Sequence, residues 1–89
     1  MTVTILAEVG LKAVEYKNAV LARKLAVEEL GSACHRWKQA NGVNYVERHS
    51  DDWHKMMDSL DEMALVQKAK AAERNARERL FRACRKVAQ

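Results

Sequence analysis

Eighty-nine residues allow one domain, near the lower limit for an adequate hydrophobic core. Apolar residues make up 48% and charged residues 31%, too apolar for a disordered chain, and no proline with three glycines leaves few points that force the backbone out of a helix. The net charge of +4 conceals a segregation: residues 1–40 carry six basic and four acidic groups, residues 41–62 two and six, and residues 63–89 eight and two.

No apolar run reaches the roughly 20 residues of a membrane span. Glu8 and Lys12 interrupt anything resembling a signal-peptide core, and no basic segment precedes it. A soluble, cytoplasmic protein is expected, with Cys34 and Cys84 as free thiols.

From Ile5 to Ala40 the apolar residues follow a heptad. Leu6, Ala13, Val20, Val27 and Cys34 take one core position; Val9, Tyr16, Arg23, Leu30 and Trp37 take the other. Arg23 is the one charged residue among them. The pattern predicts a long helix over residues 5–40, with Gly31-Ser32 as a candidate kink or the start of a short extra helix within 31–40. Asn41-Gly42 is a stop signal, and residues 41–49 read as a connector. Ser50 then caps a second helix over 51–87, with Asp51 and Asp52 in its first turn.

The second helix carries two stripes. Trp53, Met56, Met57, Leu60 and Met63 form the first; Leu65, Ala69, Ala72, Ala76, Leu80, Ala83 and Val87 form the second, nearly opposite. The first helix has a matching second stripe in Leu11, Val14, Leu21 and Leu25, with Asn18 among them. Folding the chain near Tyr45 sets Trp37 against Trp53, Leu30 against Leu60 and Leu25 against Leu65, so both helices exchange faces at one level. The expected fold is therefore all-α: a single domain, an antiparallel two-helix hairpin.

In that hairpin Leu6, Val9, Ala13, Tyr16 and Val20 point away from the partner helix, as do Val66, Phe81 and Cys84. Leu6, Val9, Ala13, Tyr16, Val20 and Phe81 are the expected surface for self-association into a four-helix-bundle homodimer, or for another permanent protein partner. Asn18 either fixes register in such an interface or sits at its wet edge. The methionine–tryptophan stripe reads as hairpin core, with an adaptable partner surface as the alternative.

Lys70, Arg74, Arg77, Arg82 and Arg85 form a second candidate surface, for an acidic protein partner or for nucleic acid. A solvated basic helix end favoured by the dipole is the plainer reading of the same residues. The run from Arg74 to Lys86 echoes a leucine-zipper basic region, but Glu78 and Arg79 stand where small residues are needed. His35, His49 and His54 lack metal-binding spacing, and Cys34 and Cys84 lie about 40 Å apart by helical rise. No metal, cofactor or membrane contact is expected, and no nucleophile elbow, phosphate loop or paired carboxylates suggest catalysis. The expected function is a non-catalytic, coiled-coil-like protein-binding module (an adaptor, inhibitor or regulator of a kind common on phages and other mobile elements). Nucleic-acid binding through the basic helix of a dimer is the alternative.

Overall fold

The structure, a computed structural model, describes residues 2–88. Among them all regular structure is helical: α1 (Val3–Ala40), α2 (Asp51–Ser59) and α3 (Asp61–Ala88). No helix is long and apolar enough to cross a membrane. The molecule is a rod of 61 × 18 × 16 Å, with α1 packed lengthwise on α3 and α2 folded across one end.

Local signals set most of the helix ends. Thr2 caps α1, its hydroxyl accepting from the Ile5 amide at 3.3 Å. Glycine ends it: Gly42 sits at φ 66°, and the amides of Gly42 and Val43 donate back to the carbonyls of Gln39 and Lys38. That is a Schellman cap, reinforced by the Asn41 side chain donating to the Trp37 carbonyl at 2.8 Å. Ser50 caps α2, accepting from the Trp53 amide at 3.2 Å and donating to the Glu47 carbonyl at 2.6 Å. The helix runs through Gly31-Ser32 without a break, since its seam packs on both sides of that point. Gly31 is exposed and open space surrounds the position of a Cβ, so Gly31→Ala should raise stability by up to about 1 kcal/mol. Gly42→Ala should lower it by about 1–2 kcal/mol, through the left-handed backbone alone. Thermal melts of the two variants measure both.

Among the buried and half-buried positions of α1, one series recurs at alternating spacings of three and four residues: Val9, Lys12, Tyr16, Ala19, Arg23, Ala26, Leu30, Ala33 and Trp37. On α3 the series is Val66, Ala69, Glu73, Ala76, Leu80, Ala83 and Val87. Both are unbroken heptad seams of the coiled-coil type. Alanine fills every second position through the middle of each, which lets the helix axes approach closely. Arg23, the charged residue in the α1 seam, meets the charged residue in the α3 seam. Its Nε lies 3.0 Å and its second nitrogen 3.4 Å from the two Glu73 carboxylate oxygens. Lys86 reaches Glu8 at 3.2 Å, Arg79 reaches Glu15 at 4.0 Å and Arg36 reaches Glu62 at 3.9 Å. Numbers rise on α1 as they fall on α3, so the two helices run antiparallel.

These pairs correct the expected two-helix arrangement in three ways. The second helix is broken at Leu60, whose extended backbone (φ −100°, ψ 117°) separates α2 from α3. Unbroken, it would carry Trp53 about 5–8 Å beyond the end of α1, where that helix cannot cover it. The break turns α2 back, burying Met56 and half-burying Trp53, Met57, Leu60 and Met63. Second, the Arg36–Glu62 and Arg23–Glu73 pairs shift the register by about six residues, so Leu30 lies level with Val66 rather than Leu60. Third, that shift turns α3 by roughly a third of a revolution, and the expected exchange of faces disappears. Val66 is buried while Leu65 and Ala72 are exposed. Val9, Tyr16 and Val20, expected to point away, are half-buried on the part of α1 that only α3 covers.

Candidate interaction surfaces

Because α1 is apolar around much of its circumference and α3 covers one side, apolar side chains remain outside. Leu11, Val14, Leu21 and Leu25 are 54–58% exposed and line the side of α1 roughly opposite α3. Asn18 lies exposed in the middle of this stripe. Leu65 of α3 extends it, sharing with Leu25 an open groove of about 450 Å³ rimmed by Glu28, Glu29 and Glu62. The sequence pattern places this stripe inside the hairpin; only the register decides which stripe α3 takes.

The first expected surface is divided by this geometry. Val9 and Tyr16 lie in the α1–α3 seam and Val20 beside it, all half-buried. Leu6, Ala13 and Phe81 are exposed, on a flank of the rod. The guanidinium of Arg77 lies 5.5 Å from the centre of the Phe81 ring, which shields part of one ring face.

The second expected surface is also divided. Lys70, Arg74, Arg77, Arg82 and Arg85 are all exposed. Arg74 and Arg77 line a shallow groove with Tyr16 and Glu73, whereas Arg82 lies on the other flank with Glu8, Lys12, Arg79 and Lys86. The basic groups thus wrap α3 rather than form one plane. At the far end of the rod, Asp51, Asp52, Asp58 and Asp61 are exposed around α2, so the rod is acidic at its turn end and basic at its chain-terminal end.

The remaining candidates are dispersed. His49, at φ 66°, packs on Trp53 with ring centres 4.7 Å apart, and Trp53 meets His54 edge-on at 5.0 Å. Among the described residues no group of three His, Cys, Asp or Glu is placed to hold a metal ion. Both cysteines are free, Cys84 exposed and Cys34 half-buried. Burial pushes the Cys34 thiol above its ordinary value, Lys38 opposing and Glu62 adding to the shift. Comparison with protein-family models, curated proteins and solved structures finds no match to this chain.

Proposed function

We propose that this chain is a non-catalytic protein-interaction module that self-associates through the outer stripe of α1. The observation that carries this reading is the row Leu11, Val14, Leu21 and Leu25, exposed on a helix whose other side is already packed. An exposed apolar row of this length, broken only by Asn18, marks an interaction site on a monomer. The total surface supports it. The chain exposes 6644 Å², against about 5,300 Å² for a compact monomer of this mass. The excess exceeds the roughly 800 Å² that each partner buries in a standard interface. The interior is correspondingly thin: the buried apolar residues are Ala33, Met56, Val66, Ala76 and Ala83, three of them alanines.

Light scattering on the purified protein at tens of micromolar tests the reading. The expected mass is about twice the 10.2 kDa of one chain; a monomer at every concentration overturns it. With α1 covered by a copy of itself, the exposed cations of α3 remain for a further protein with an acidic surface, as suits an adaptor, inhibitor or regulator. A cytoplasmic setting is consistent with two free cysteines.

The exposure of Lys70, Arg74, Arg77, Arg82 and Arg85 favours a second reading, nucleic-acid binding. Each phosphate contact would add about 0.9 to the logarithmic salt dependence of binding to duplex DNA. Titration with random-sequence duplex at two salt concentrations tests it, and no binding at the lower salt removes it.

A further inference from the structure

Resting on the self-association proposed above, we infer that the second copy lies antiparallel to the first, about a two-fold axis passing beside Asn18. The stripe is self-complementary in that sense. Its apolar members stand at nearly equal distances on either side of Asn18, so reversal sets Leu11 against Leu25 of the partner subunit and Val14 against Leu21 of the partner subunit. A two-fold interface requires one patch to complement itself in this way. Asn18 then meets its own counterpart, and the carboxamide, donor and acceptor in one group, pairs with a copy of itself.

Charge selects this direction over the parallel one. Parallel copies would set the acidic ends of the two rods side by side, and likewise the basic ends. Reversal instead brings the Glu8–Lys86 level of one copy beside Glu28 of the partner subunit. The groove floored by Leu25 and Leu65 and rimmed by Glu28, Glu29 and Arg36 then receives Leu11 of the partner subunit. The same reversal places both grooves on one side of the dimer, so each end of the interface has the same apolar contact.

Spin labels test the direction on the full chain. In a Cys34→Ala, Cys84→Ala background, Gly31→Cys carries one label per copy on exposed α1, outside the groove. The antiparallel dimer predicts an inter-label separation of about 39 Å, twice the helical rise from Asn18 to Gly31. Ala7→Cys, on the other side of the axis, predicts about 33 Å. Distances under about 20 Å at both positions overturn the antiparallel arrangement and leave self-association standing. Absence of any dipolar coupling, with a monomer mass for the unlabelled protein, overturns the self-association as well.

Discussion

Ala76→Leu is expected to lower the melting temperature by about 5–20 °C, while Ala72→Leu on the same helix leaves it nearly unchanged. Ala76 is 2% exposed in the alanine-lined seam, and its added carbons meet α1 with no room to relax except by separating the helices. Overpacking of this kind costs about 1–3 kcal/mol. In a domain of this size each kcal/mol shifts the melting temperature by about 4–8 °C. Ala72, four residues earlier, is exposed, so its larger replacement touches little. Helix propensity barely distinguishes alanine from leucine, and the contrast isolates the seam. Equal effects at the two positions would mean that α3 presents a different face to α1. Thermal melts by circular dichroism decide it.

Leu21→Asp is expected to abolish association while leaving the helical content of the single chain intact. Leu21 is 54% exposed, so the charge remains hydrated in the isolated rod. In the dimer it would be buried twice, once from each copy, and each lost leucine contact contributes about 1.5–3 kcal/mol. The dimer should weaken more than about a hundredfold. Tyr16→Asp belongs to the other class: Tyr16 is half-buried beside Glu73, where a further carboxylate meets a like charge and disrupts the α1–α3 seam. Sedimentation with far-UV circular dichroism separates the two outcomes. If Leu21→Asp unfolds the chain, the outer stripe is part of the fold and not an interface.

How much of this was legible in the sequence follows from what each signal encodes. Helix ends were readable because local chemistry sets them: Asn41-Gly42 stops α1 and Ser50 starts α2, each through its own side chain or backbone. The seam on α1 was readable in one of its two heptad positions, since Val9, Tyr16, Arg23, Leu30 and Trp37 are the residues that face inward. Register was not readable, because two apolar stripes on each helix admit two pairings. What selects between them is the Arg23–Glu73 contact across 50 residues. A charged residue in an apolar heptad calls for an opposite charge in the facing one, and Glu73 stands four and three residues from Ala69 and Ala76. That complement could have set the register. The break at Leu60 carries no proline or glycine signal. It arises from a global requirement, that α1 ends before a straight second helix would, together with Ser59 donating to the Met56 carbonyl at 2.8 Å. The same register decides the candidate surfaces, which is why the exposed stripe on α1 is Leu11 to Leu25 rather than the row containing Val9 and Tyr16.

The most direct measurement is paramagnetic bleaching of leucine methyl signals by a soluble relaxation agent, in dilute and concentrated protein. The methyls of Leu11, Leu21 and Leu25 should become protected as concentration rises, while Leu6, exposed on the flank of the same helix, stays bleached throughout. Equal bleaching of all four at every concentration would contradict the burial of the outer stripe of α1 against a second copy.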